Sequence, residues 1–208
     1  MTIDKIYIIA IDINQSKVNN IIERLSKIGI NSSSYQIING FHGLKNALPP
    51  HYKPYSGWKL KDSTNKWWSR NLKPGEIGCT ISHINTWNLM LNEGHKRVLI
   101  LEEDFKINKS LDGLSDLELE SIDWDLCYLG RYRFKDGLSK SISDNLEVPG
   151  NSYNTHAYIL TRDGASKLLN TDIHKNIIPV DEFIPAMYMG HQRPDIIKMF
   201  KPTLYAIS

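Results

Sequence analysis

An α/β fold with a mostly parallel central sheet is predicted from three features of the chain. Lys5 to Ile11 reads as a buried strand, and Val98 to Leu101 is an unbroken apolar run, as strands buried on both faces of a parallel sheet require. The first strand is followed by Val18, Ile21, Ile22, Leu25 and Ile28 at helical spacing until Gly29 stops the helix, a β-α opening in the style of nucleotide-binding sheets. The Val98 to Leu101 run ends in Glu102-Glu103-Asp104, and ligands in open α/β sheets gather at the carboxyl ends of strands.

The remaining elements follow in order. Ser34 to Ile38 predicts a second strand, parallel to the first through a right-handed crossover and closed by Asn39-Gly40. Residues 40–74 form an irregular, aromatic-rich loop whose length suggests a lid. Glu76 to Glu93 reads as a helix with Ile77, Ile81, Ile84, Met90 and Leu91 inward and Gly94 as its stop. Ser110 to Glu120 reads as a short acidic helix, and Asp125 to Leu129 as a buried strand closed by Gly130. Ala157 to Thr161 predicts another strand, with Thr161 capping a helix over Arg162 to Leu169. A short helix begins around Asp181 and Glu182, whose carboxylates suit the positive end of its dipole.

At 208 residues and 41% hydrophobic composition, the chain suffices for one sizeable core and is read as a single domain, 1–208. Its 25 basic and 23 acidic residues leave a formal net charge of +2 with no polybasic face, which argues against nucleic acid or a membrane surface as partner. Met1-Thr2-Ile3-Asp4 places a carboxylate where a signal peptide needs basic residues, and Ile6 to Ile11 is too short to span a bilayer. The expectation is a soluble, cytoplasmic protein. Cys79 and Cys127 sit among apolar residues and read as buried free thiols without catalytic work.

Chemistry is concentrated in the acidic strand end. Three adjacent carboxylates repel one another unless solvated, paired or used as oxygen ligands for Mg²⁺ or Mn²⁺. The metal reading stands beside that of a plain acidic turn. Trp67-Trp68 offers a platform for a sugar ring, or simply pins the loop to the core. Ser82 and His83 lie within the long helix, where a lone histidine is more often structural than functional, its nitrogens satisfied by nearby backbone or solvent, and spacing alone does not promote it. Arg131 and Arg133 follow a strand end, placed for phosphate oxygens or for solvent.

Several stretches together resemble glycosyltransferase family 25, which includes lipooligosaccharide and procollagen galactosyltransferases. Gly75-Glu76-Ile77-Gly78-Cys79 with Ile81-Ser82-His83 and Trp87 resembles the family's G-E-[IV]-G-C-x-[LI]-S-H-x-x-x-W block, and Leu101-Glu102-Glu103-Asp104 its L-E-D-D block. Pro54-Tyr55-Ser56-Gly57, Asp123-Trp124-Asp125-Leu126 with Tyr128, Gly130 and Arg131, Ala157-Tyr158-Ile159 with Gly164-Ala165 and Lys167-Leu168-Leu169, and Pro179-Val180-Asp181-Glu182-Phe183 complete the series in the family's order. The resemblance implies a GT-A type α/β/α sandwich that binds a UDP-sugar, UDP-galactose or UDP-glucose, through Mn²⁺ (or Mg²⁺). Glu102 and Asp104 are then the metal ligands. Donor contacts are expected from Ile9, Ala10 and Asp12 at the first strand's exit, from Glu76, Gly78, Ser82 and His83, and from Glu103, Gly130 and Arg131.

This chain has Glu103 where the family has aspartate, and the longer side chain is expected to point toward the helical layer. Ile11-Asp12-Ile13-Asn14-Gln15-Ser16 replaces an arginine-rich stretch of relatives, shifting phosphate contacts toward Arg131 or loop residues. Collagen-type members continue past the stretch ending here in Ser208, so a reduced acceptor side is expected. The implied reaction transfers a hexose to a hydroxyl of a glycan or a hydroxylysine-type acceptor, with Asp181 or Glu182 as general base and inversion at the anomeric carbon. Residues between Tyr52 and Trp68 are expected to close over donor and acceptor as a lid that orders on binding. A catalytically inactive nucleotide-sugar or glycan binding module is the alternative. A metal-dependent phosphoesterase also uses clustered carboxylates, but the other blocks do not support it.

Overall fold

The computed structural model describes residues 2–106, 119–134 and 139–208. Strand β1 (Lys5–Ala10) leads to α1 (Gln15–Ser26), β2 (Tyr35–Asn39), α2 (Pro74–Asn92), β3 (Arg97–Glu102) and β4 (Leu126–Arg133). There follow two short strands, β5 (Lys140–Ser141) and β6 (Glu147–Val148), then β7 (Ser152–Thr161), α3 (Arg162–Leu169), α4 (Val180–Met189), α5 (Pro194–Met199) and β8 (Ala206–Ile207).

The central sheet has six strands in the order β2-β1-β3-β7-β4-β8, and β5 pairs separately with β6. β1 is parallel to both β2 and β3, β4 is parallel to β8, and β7 alone runs antiparallel, between β3 and β4. Alternate strand residues serve opposite faces. Tyr7, Ile9, Val98, Ile100, Tyr158 and Leu160 pack against α2, α3 and α4, whereas Ile6, Ile8, Ala10, Leu99 and Ile159 meet Ile21 and Leu25 of α1. Both faces are covered, which is why β1 and β3 read as continuous apolar runs. The arrangement is the mixed α/β, GT-A-like sandwich that the sequence predicts.

Three boundaries differ from expectation. Gly130 does not end its strand, because the register with β7 slips on either side of it and pairing resumes at Tyr132 with Tyr153. β7 starts at Ser152 rather than Ala157, since Ser152-Tyr153-Asn154-Thr155-His156 carries polar side chains that hide the strand signal. α2 begins at Pro74, a residue favoured in a first helical turn, and Glu76 accepts the Lys73 backbone N–H at 2.8 Å. The expected helix over Ser110 to Glu120 lies outside the described residues up to 118; Leu119 is buried.

The long loop departs most from the lid expectation. Tyr52 and Trp58 belong to the core, and the backbone around Pro54 pairs with Ile177 through Tyr55 N–H to Ile177 O at 2.9 Å and Ile177 N–H to Lys53 O at 2.8 Å. Arg193, 2% exposed, donates to the carbonyls of Trp58 at 2.5 Å and Gly57 at 2.7 Å. The stretch Tyr52–Trp58 is thus docked, because its aromatic surface has more to gain in the core than over a ligand. Trp67, half exposed, is the large aromatic this loop leaves to solvent. No helix among the described residues is long and apolar enough to cross a membrane.

Candidate functional site

Because β7 is antiparallel, its first half arrives at the same sheet edge as the end of β3. The paired register ends at Leu101 with Ala157, and just beyond it the Thr155 hydroxyl donates to Glu102 Oε1 at 2.7 Å. The first turn of α4 adds Asp181, and the turn after β3 adds Asp104. Together with Lys106 and His156 they line a cavity of about 420 Å³. Glu102 and Asp104, the sequence-predicted metal ligands, and Asp181, a predicted base, are therefore brought into one space.

Three carboxylates, Glu102, Asp104 and Asp181, line this space against one lysine, Lys106. Burial opposes charge on Glu102, yet His83, by hydrogen bond and by charge, and then Thr155 hold its carboxyl below the usual range. Burial, followed by the charge of Glu102, pushes Asp181 above it. Asp181 Oδ1 is buried without a hydrogen-bond partner. The carboxylates of Glu102 and Asp104 are oxygen donors of the kind a hard divalent ion takes, so these two residues fit Mn²⁺ or Mg²⁺.

The other predicted contacts divide. Glu103 turns toward α1, where it pairs with Lys17 at 2.7 Å, as its longer side chain suggested. Ile9 and Ala10 are buried in β1; their carbonyls accept the backbone N–H groups of Glu103 and Gly40. Asp12 has a left-handed backbone and is held by Lys45 at 2.6 Å. Glu76 caps α2 and pairs with Arg70. Gly78 admits close approach of the loop: a Cβ there would lie 2.5 Å from Phe41 O. Ser82 pins the same loop, accepting the Phe41 N–H at 2.8 Å and donating to Gly78 O at 2.7 Å. Arg131 is spent on Glu147, Ser152, Ser139 and Ser208 rather than left for phosphate, and its guanidinium is nearly buried. Gly130 leaves room for His156, whose Nε2 would lie 2.4 Å from a Cβ.

His83 is fully buried beneath the cavity. Its Nδ1 meets Tyr158 Oη at 2.8 Å and its Nε2 lies 3.3 Å from Glu102 Oε1, so it supports the carboxylate from behind. Glu182 faces a neighbouring cavity of about 460 Å³, lined also by Trp67, Trp68, Tyr153, Asp181 and His191. Its carboxylate accepts from the Tyr153 hydroxyl and pairs with His191 Nε2 at 2.7 Å. Asp181 is common to both cavities. Sequence reasoning missed Thr155, His156 and Tyr153, which precede the recognisable Ala157-Tyr158-Ile159 block, and His191, which nothing nearby marks.

A larger concavity, about 980 Å³, lies at the opposite sheet edge among Asp4, Arg97, Trp124, Asp125 and Lys167. Within it Asp4 accepts the Lys96 and Arg97 backbone N–H groups, and Lys167 pairs with Asp125 at 2.7 Å.

A family model described as glycosyltransferase family 25 (LPS biosynthesis protein) matches residues 3–184. Among curated proteins, the chain is 35% identical over 162 residues to inactive glycosyltransferase 25 family member 3 of Homo sapiens, covering 74% of this chain and 25% of that protein. It is 30% identical over 210 residues to procollagen galactosyltransferase 1-A of Xenopus laevis, covering 97% and 34%. It is 33% identical over 161 residues to procollagen galactosyltransferase 1 of Danio rerio, covering 74% and 25%. The chain thus spans about a quarter to a third of the length of these relatives.

Proposed function

From the premise that this chain belongs to glycosyltransferase family 25, we propose that it transfers a hexose, galactose or glucose, from a UDP-sugar to a hydroxyl acceptor with the help of Mn²⁺. The observation that carries the reading is the meeting of Glu102, Asp104 and Asp181 in one polar cavity that continues, through Asp181, into an aromatic one. Glu102 and Asp104 are the residues to hold the ion. Mn²⁺, when bound, supplies Lewis-acid neutralisation of the diphosphate charge.

The chain's own groups divide the remaining work. Lys106 and His156 stand where phosphate oxygens need donors, a task from which Arg131 is withdrawn. Trp67 and Trp68 offer apolar faces to an acceptor sugar or an aliphatic acceptor stem. Asp181 lies between donor and acceptor spaces, and its carboxylate is the base that takes the proton of the attacking hydroxyl. Glu182 is the weaker candidate, because its oxygens already serve Tyr153 and His191; it holds those two side chains against the acceptor wall. A base facing the donor from the acceptor side implies inversion.

A second reading, an inactive module that binds a nucleotide-sugar or glycan, is favoured by a specific finding: several similar relatives carry the word inactive in their names. One assay separates the two. UDP release from UDP-galactose or UDP-glucose should depend on Mn²⁺ and fall at least about a hundredfold in Asp104→Ala. UDP binding without turnover on any UDP-sugar overturns the enzyme and leaves the module.

A further inference from the structure

A second set of ligand atoms lies on the inner wall of the carboxylate cavity. Cys79 and His83 stand one turn apart on α2, and Glu102 ends β3; the thiol sulfur, a ring nitrogen of His83 and a carboxylate oxygen of Glu102 all lie within 4.8 Å of one another. A thiolate, an imidazole and a carboxylate together form a borderline-soft donor set. Mn²⁺ and Mg²⁺ prefer oxygen alone, whereas Zn²⁺ takes sulfur, nitrogen and oxygen in fourfold coordination.

The imidazole is braced as a ligating histidine is. Tyr158 Oη holds Nδ1 at 2.8 Å and itself accepts the Trp87 Nε1–H at 2.8 Å, so the ring cannot turn and Nε2 is directed at Glu102. All three of these rings are at the centre of the core, with His83, Trp87 and Tyr158 fully buried. Asp181 lines the same cavity, and its buried, unpartnered oxygen is a further anionic donor.

We propose that Cys79, His83 and Glu102 form a binding site for Zn²⁺, separate in chemistry from the oxygen site of Glu102 and Asp104. Glu102 belongs to both sets. Zinc on the sulfur side therefore draws Glu102 away from the oxygen side and inhibits Mn²⁺-supported transfer; this consequence, unlike the site itself, rests on the function proposed above. Cys79 reads as a plain buried thiol in the sequence, because Glu102 joins it and His83 only once the sheet has folded.

The test uses the whole chain stripped of metal and titrated with Co²⁺, an optical stand-in for Zn²⁺. The expected result is a near-ultraviolet thiolate-to-cobalt charge-transfer band that Zn²⁺ displaces at stoichiometric concentration and Mn²⁺, which competes only for Glu102, displaces only in large excess. Cys79→Ser should abolish the band, and Cys127→Ser should retain it, since Cys127 is packed on the other face of the sheet. Should Cys79→Ser not fold, alkylation of Cys79 by a maleimide in the unmodified chain, read by peptide mass, should slow at least about tenfold when Zn²⁺ is present. No band, a band that survives Cys79→Ser, or alkylation indifferent to Zn²⁺ overturns the site. A band formed while Mn²⁺-supported turnover is insensitive to Zn²⁺ overturns the sharing of Glu102. Absence of any turnover refutes the proposed function, and the optical and alkylation results still decide the zinc site.

Discussion

Arg193→Met tests how the loop between β2 and α2 is secured. The guanidinium donates to the carbonyls of Trp58 and Gly57, forks onto Asp195 at 2.6 Å and 3.2 Å, and lies over the rings of Trp58 and Trp68 at 5.3 Å and 5.9 Å. Methionine keeps much of the apolar stem but leaves the two carbonyls without a donor, at a cost of about 1–3 kcal/mol each where they are buried. The loss of ring contact adds roughly 0.5–1 kcal/mol. The ion pair adds little, since the Asp195 side chain is 36% exposed and screened. The expected loss is thus about 2.5–7 kcal/mol, a large share of the roughly 5–15 kcal/mol that holds a domain together. Urea denaturation should show a lower midpoint with an unchanged slope.

Acid titration gives the same residue a second readout. Arg193, by hydrogen bond, holds the Asp195 carboxyl down to about 2 from 3.8. A lowered folded-state value contributes stability that is present above the unfolded value and lost as pH falls through the folded one, so this contribution fades between about pH 4 and pH 2. The gap between the unmodified chain and Arg193→Met should narrow over that window. A loss in urea below about 1 kcal/mol would refute the view that this arginine fastens the loop.

Three further outcomes are expected. Asp181→Asn should abolish transfer yet stabilise the metal-free protein at neutral pH by on the order of 1 kcal/mol, because burial raises the Asp181 value and ionisation above it destabilises the fold; chemical denaturation at pH 7 and pH 4 should show the advantage shrinking in acid. Gly78→Ala should lower the melting temperature, with about 1–3 kcal/mol lost as its Cβ meets Phe41 O and Gly43 N at 2.5 Å and 2.8 Å, while Gly75→Ala, with open space around it, should be neutral or better by calorimetry. Trp67→Ala should leave stability within about 1 kcal/mol and raise the acceptor KM roughly two- to tenfold with kcat little changed, read by initial rates once an acceptor is in hand.

What the residues disclose depends on range. β1, α1, α3 and the end of β3 could be read directly, because each announces itself by local periodicity, a glycine stop or a capping threonine: Gly29 has a positive φ, and Thr161 accepts the Gly164 N–H at 3.0 Å. Asp104 and Glu102 were legible for the same reason, as carboxylates at the tip of an apolar run. The antiparallel course of β7 was not, since direction is decided by which strands it joins. Thr155 and His156 owe their place to that course. Arg131 and Glu76 resembled ligand contacts only while their partners, Glu147 and Arg70, were unknown. The loop aromatics could be read as pinning the loop to the core or as a platform, and the sequence does not sort them: Trp58 and Trp67 are alike there, and only packing makes one a core residue and the other a surface plate.

The placement of β7 has a consequence for biosynthesis. β3 and β4 never touch as neighbours; each is hydrogen-bonded to β7, the last long strand to be made. While the nascent chain leaves the ribosome, only β2, β1 and β3 of the central sheet can therefore pair; the apolar edge of β3 stays bare until residue 161 emerges, and β4 waits for both of its neighbours, since β8 is made later still. Vectorial synthesis delivers the keystone late, and a chain stalled before Ser152 is an expected client of chaperones.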